Sequence, residues 1–326
     1  MGKGVLGRVS KIIAVVLVFA SLASACATPV QPAADAVSVR IAMLPILDTI
    51  PLYLAQEAGY FAAEGVNVEF IPVGSAAERD QVMAAGRADG MINDLVSVVL
   101  YNRQAVTVQV VRFMRIASRD VPLYRVVASP KSGITTVAGL AGVPIGISQG
   151  SIIDYVTDQL LQSEGLAPDQ IKTIAVPKIP ERMALLSSGE LKAATLPEPF
   201  ATLAIRNGAV LITDDTVHPE FGNSVISFHK TFLDQHPAAV QGFLRAVEKA
   251  VQDINASPEK GRPIFTKYNL VPSDLVASYP VPAFPPSSLP TQAQFDAVAQ
   301  WAVAKGLVDR TVPYAGSVVD NFLVKP

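Results

Sequence analysis

Pro144-Ile-Gly-Ile-Ser-Gln-Gly-Ser-Ile-Ile-Asp-Tyr-Val-Thr-Asp-Gln-Leu-Leu-Gln-Ser-Glu-Gly165 carries a strand, a polar turn and a helix in succession. Pro144 to Ile147 is a short apolar strand, and Ser151 to Glu164 reads as a helix with Ile152, Val156 and Leu160 at i, i+4 and i+8. Gly165 supplies the helix stop. Between strand and helix lies Ser148-Gln-Gly-Ser151. The free N–H groups of a helix start point out of such a turn. Gly150 allows close backbone approach, and the serines and Gln149 add donors and acceptors. The turn suits an anion, a carbonyl edge or sugar hydroxyls, and it carries no fixed positive charge of its own. Ser151 acting only as a helix cap is the simpler alternative.

The same alternation extends in both directions. Val39, Ile41 and Met43 alternate with Ser38, Arg40 and Ala42 as a strand, and Pro51 opens a helix. Val66 to Phe70 is a strand, Ala76 to Ala85 a helix stopped by Gly86, and Val106 to Val111 a β-branched run interrupted only by Gln109. Beyond Glu164 come strands at Ile171 to Val176, Ala193 to Leu196 and Val210 to Thr213, with helices between them. The remainder is mostly helical. Pro237 opens a helix with Val240, Phe243, Leu244, Val247, Val251 and Ile254 on one face and Glu248 and Lys249 off it. Pro280 to Pro290, with five prolines, is a long surface loop. The fold class is therefore α/β with largely parallel sheets. Two αβ blocks predict two lobes: residues 38–127 plus 223–326, and residues 128–222. Ligands favour the interface between such lobes, at the carboxyl ends of the strands.

The N-terminus is of a different kind. Lys3, Arg8 and Lys11 precede an apolar run from Ile12 to Leu22, too short to span a bilayer and read as an export signal over residues 1–25. Leu22-Ala-Ser-Ala-Cys26 then resembles a bacterial lipobox, which implies acylation of Cys26. An ordinary signal peptide cut near Ala25 is the alternative. Residues 26–37 read as a tether. Cys26 is the only cysteine of the 326 residues, so an intramolecular disulfide or a cysteine metal site is excluded. The net charge of −2 gives no footprint for nucleic acid. His218, His229 and His236 lack ligand spacing, and no metal or cofactor is expected.

Five motifs in consistent order carry a family resemblance. They are Pro51-Leu-Tyr-Leu-Ala-Gln-Glu-Ala-Gly-Tyr-Phe61 with Glu64-Gly-Val-Asn-Val-Glu69, then Ala84-Ala-Gly-Arg-Ala-Asp89 and Leu140-Ala-Gly-Val-Pro-Ile-Gly146, then Leu196-Pro-Glu-Pro-Phe-Ala201 and His236-Pro-Ala-Ala-Val240. Over about residues 38–325 the chain resembles the thiamine-pyrimidine, sulfonate and taurine branch of type II periplasmic binding proteins. The resemblance implies a Venus-flytrap fold of two lobes, each a central mixed sheet flanked by helices. It also implies a monomer that closes on a small molecule and delivers it to an ABC permease, without catalysis. Within the group the sequence is most similar to riboflavin-binding lipoproteins. A thiamine pyrimidine precursor or an alkyl sulfonate is the alternative cargo, the latter if Arg112 meets the Ser148 turn. An enzyme resembling the pyrimidine-precursor synthase of the same fold would need a cysteine-rich motif that is absent here. A lipoprotein that only senses its ligand would have the same cleft.

The candidate ligand residues follow from these two readings. Asp48 and Thr49 follow the first strand, and Tyr53 on the next helix could stack on a flat ring. Asn93 and Asp94 end a short buried segment, and Phe113 follows the β-branched run as a second stacking platform. Ser148, Gln149, Gly150 and Ser151 form the turn, with Asp154 and Tyr155 on the first helical turn beyond it. Glu198, between two prolines, is placed near the ligand by the family pattern.

Overall fold

Alternating apolar residues and well-placed prolines and glycines build two runs of strands and helices, followed by a helical C-terminal third. The structure, a computed structural model, describes residues 37–325. The export signal, Cys26 and most of the tether lie outside the described residues. The first run is β1 (Val37–Met43), α1 (Ile50–Glu57), α2 (Tyr60–Ala63), β2 (Val66–Pro72), α3 (Ala76–Ala84), β3 (Gly90–Asn93), α4 (Leu95–Tyr101) and β4 (Val108–Ile116). The second is β5 (Tyr124–Ala128), β6 (Pro144–Ile147), α5 (Ile152–Ser163), β7 (Lys172–Ala175), α6 (Ile179–Ser188), β8 (Ala193–Pro197), α7 (Phe200–Arg206) and β9 (Val210–Asp214). The chain then returns through β10 (Asn223–His229) to α8 (Lys230–Gln235), α9 (Pro237–Ala256), α10 (Arg262–Lys267) and α11 (Gln292–Ala304).

Two five-stranded mixed sheets result, ordered β2-β1-β3-β10-β4 and β7-β6-β8-β5-β9. In the first, β1 is parallel to β2 and β3, and β10 is antiparallel to β3 and β4. In the second, β6 is parallel to β7 and β8, and β5 is antiparallel to β8 and β9. Each sheet centres a lobe, and residues 117–123 and 215–222 are the two crossings between them. Two expected boundaries shift. Val37 already pairs with Val66, so the first strand begins inside the expected tether. Tyr124 to Ala128 lie wholly in the second sheet, so its first strand precedes the expected start at residue 128.

The core of lobe one forms as the sequence predicts. On α9, Val240, Phe243, Leu244, Val247, Val251 and Ile254 are all buried, and Phe243 stacks on Phe61 at 5.2 Å. Each such side chain contributes about 1.5–3 kcal/mol on burial. Glu248 departs from expectation. It is buried on the same helix because Arg112 of β4 reaches it at 3.1 Å.

Candidate functional site

The loops at the carboxyl ends of four strands meet where the lobes face each other. Leu44, Ile46 and Asp48 follow β1, Asn93 and Asp94 close β3, Ser148 and Ser151 follow β6, and Pro197 ends β8. Together with Arg79, Ile92, Ile152, Ile179 and Tyr124 they line one narrow cavity, in which the centre of a water molecule has about 60 Å³ to move. Sites for drug-sized ligands run to roughly 300–1,000 Å³. The two lobes touch across this space, where the Ile152 N–H of lobe two meets the Asp94 carboxylate of lobe one.

The lobe-one wall is a chain of paired charges. Asp48 is buried and accepts from Arg115 Nη1 at 2.9 Å. Asp94 caps α4 by accepting from Ser97 N–H at 2.9 Å. Burial pushes its carboxyl up, opposed by Arg79, by Ser97 N–H and by the Ile152 N–H of the facing lobe. Asn93 accepts from the Ser227 hydroxyl and donates to Ser97 Oγ at 3.3 Å. Arg79, 4% exposed, donates to Asp80 at 2.9 Å and stands 3.7 Å from Asp94. Its Nη2 is buried without a hydrogen-bond partner among the described residues. A buried donor left unmade costs more than a made bond returns, so this nitrogen is the strongest pointer to a ligand acceptor.

The lobe-two wall is the turn read from the sequence. Gly150 adopts φ +66°, a conformation that favours glycine, and donates its N–H to Asp154 at 3.0 Å. Ser151 caps α5, accepting from Ile153 N–H at 3.2 Å and donating to Ser148 O at 2.7 Å. The turn carries no charge of its own, but a cation of α6 stands against it. Arg182, fully buried, lies behind the turn and donates to Ser148 Oγ at 2.5 Å, Thr195 O at 2.7 Å and Val176 O at 2.9 Å. No carboxylate among the described residues pairs with it, and burial lowers its guanidinium to about 10. Tyr124 adds a phenol that burial, then Asp48 and Asp94, push far up.

Five of the expected residues therefore line the cavity: Asp48, Asn93, Asp94, Ser148 and Ser151. Gly150 shapes the turn without lining the space, and Gln149 is exposed to solvent. Thr49 turns back to Ile46 O at 2.7 Å. Tyr53 stacks on Tyr268 at 3.7 Å between centroids, inside the lobe-one core. Phe113 packs in the core, and its N–H is taken by Ser288 O at 2.8 Å. Tyr155 meets Trp301 and Phe221 edge-on at 5.4 and 6.1 Å. Glu198 pairs with Arg125 at 2.6 Å and accepts from Tyr279 at 3.1 Å, outside the cavity. Arg112 faces Glu248 and does not meet the Ser148 turn. The sequence reading missed Arg79, Arg115, Tyr124 and Arg182. The signal was present for Arg112 and Arg115, because two arginines inside the apolar run Val108–Ile116 must find partners when buried.

A family model described as NMT1/THI5 like matches residues 47–261. A putative thiamine biosynthesis protein of Haemophilus influenzae is 23% identical over 226 residues, 68% of this chain and 69% of its own length. The alkanesulfonate-binding protein SsuA of Xanthomonas axonopodis pv. citri, solved with MOPS, superposes with a TM-score of 0.74 at 16% identity, covering 88% of this chain and 100% of that one. The periplasmic aliphatic sulphonate binding protein SsuA of Escherichia coli gives 0.71 at 17% identity, covering 86% and 96%. Such identities establish the fold, that of the periplasmic binding proteins.

Proposed function

Because the chain belongs to the NMT1/THI5-like family, we propose that it is the solute-binding component of an ABC importer, closing on a small organic molecule and presenting it to a permease. The observation that carries this reading is the shared cavity, to which both lobes contribute polar loops at their strand ends. The reading includes acylation of Cys26 and a place outside the cytoplasmic membrane, held by residues 26–36 as a tether ahead of β1. Cys26→Ser is expected to release the protein from the membrane fraction and to abolish incorporation of labelled palmitate. Incorporation that persists in that variant would remove the anchor.

The lining favours a flat, neutral heterocycle. Ile46, Ile92, Ile152 and Ile179 supply apolar walls, Asp48 and Asp94 accept ring N–H or amino groups, and Arg79 Nη2 meets a carbonyl or ring nitrogen. Riboflavin and the aminopyrimidine of thiamine both present such edges. The narrowness of the cavity favours the single ring over riboflavin, which requires the lobes to stand further apart. An alkyl sulfonate gains from Arg79 and the start of α5 but faces two carboxylates in the same space. Calorimetric titration with riboflavin, the aminopyrimidine and ethanesulfonate tests the class. Binding of either heterocycle and not the sulfonate is expected, with flavin fluorescence quenched if riboflavin enters. Sulfonate binding alone would overturn the heterocycle reading and leave the importer role standing.

A further inference from the structure

α11 belongs to lobe one by its packing. It lies on α4, and the chain beyond it places Val318 beside Val110 of β4. Its last turns nevertheless reach lobe two. Trp301 Nε1 donates to Asp158 Oδ2 at 2.8 Å, and Lys305 Nζ lies 2.8 Å from the same oxygen and 3.6 Å from Asp154 Oδ1. Both acids stand on α5, one turn apart, and the Trp301 ring meets Tyr155 of the same helix edge-on. Asp154 continues the connection into the cavity, because its Oδ2 holds the Gly150 N–H at 3.0 Å. Its Oδ1 is buried with no hydrogen-bond partner among the described residues, and Lys305 is the cation nearest to it.

We propose that Trp301 and Lys305 form a latch that draws lobe one onto α5 and, through Asp154, holds the Gly150 turn in its ligand-receiving shape. Two carboxylates one turn apart on the same helix repel each other, and Lys305, with one charge to offset one of the two, reaches both only when the lobes are together. When the lobes part, water can take over the same groups, so the net gain of latching is modest and the contact reversible. That is the property required of a closure that a ligand must be able to tip. The inference rests on the reading of the chain as a binding protein that opens and closes.

Trp301 is the only tryptophan in the chain, so its emission reports the latch directly. The experiment uses the full chain with Cys26→Ser, in which Lys305→Met, Asp158→Asn and Lys305→Arg are compared without added ligand. Lys305→Met and Asp158→Asn are expected to make Trp301 more accessible to acrylamide quenching and to enlarge the radius of gyration in X-ray scattering. Lys305→Arg is expected to do neither. In titrations with riboflavin, the aminopyrimidine and ethanesulfonate, Lys305→Met should weaken whichever of the three binds by roughly tenfold, a usual size for coupling between separate sites. Unchanged quenching and radius in Lys305→Met and Asp158→Asn would overturn the latch. If none of the three compounds binds, the ligand class fails, and quenching and scattering still decide the latch.

Discussion

Arg115→Met is expected to destabilise the fold by about 3–5 kcal/mol, the usual cost of removing one partner from a buried ion pair. Arg115 Nη1 lies 2.9 Å from Asp48 Oδ1, and both side chains are almost wholly withdrawn from water, 4% and 6% exposed. Without the guanidinium, the Asp48 carboxylate is left without its cation in a nearly dry wall. Thermal unfolding measures the result, with a fall in midpoint on the order of 5–10 °C for a chain of this size. The pair can be separated from mere loss of packing. Adding Asp48→Asn to Arg115→Met removes the stranded charge and should recover most of the loss, since replacing both ions is far milder than breaking the pair. A double variant no more stable than the single one would mean that Arg115 acts through packing. The same change bears on the site, because Asp48 lines the cavity.

What could be read in the sequence was local. The Ser148–Ser151 turn was legible because a strand end, a glycine, a capping serine and a helix start lie within a few residues. The structure places the serines on the cavity wall for that reason. The apolar face of α9 was legible from a single period of 3.6 residues. The partners of buried ions were not. Arg182 bonds Ser148 across 34 residues, Arg115 reaches Asp48 across 67, and Tyr279 meets Glu198 across 81. Nothing in the flanking residues of Glu198 says that a tyrosine in the proline-rich segment will occupy it. Tyr53 and Phe113 show the converse failure. An aromatic next to a strand end reads equally well as a stacking platform or as core, and here Tyr268 and the lobe-one core had already claimed Tyr53.

Asp215→Asn should erase a pH dependence of stability that originates at the crossings between the lobes. Asp215 is fully buried where the crossings meet, and its Oδ1 accepts from Leu123 N–H at 2.9 Å and from Tyr124 N–H at 3.3 Å. The backbone of Gly222, from the same crossing as Asp215, passes so close that a Cβ there would stand 2.0 Å from Asp215 Oδ2. The carboxyl thus fastens the return crossing to the outgoing one. Burial pushes it up to about 7, against the pull of the Leu123 and Tyr124 N–H groups and of Arg115. Its value in the unfolded chain is about 3.9. Between about pH 4 and 7 the folded chain therefore keeps a proton that the unfolded chain has released. Stability from this group is full below about pH 4, falls as the pH rises through that window and levels off above about 7. The amide introduced by Asp215→Asn keeps an oxygen for the two N–H groups and carries no charge at any pH. Asp215→Asn should match the parent near pH 4 and exceed it at pH 8 by on the order of 4 kcal/mol. Denaturant midpoints across the range measure the difference, in which every other titrating group cancels. Curves that stay parallel from pH 4 to 8 would show that Asp215 titrates alike in the folded and unfolded chains, and that these hydrogen bonds hold its charge at no cost. Arg115 ties this result to the first. Its loss removes one of the charges that hold the Asp215 carboxyl down, so the pH window should move upward in Arg115→Met.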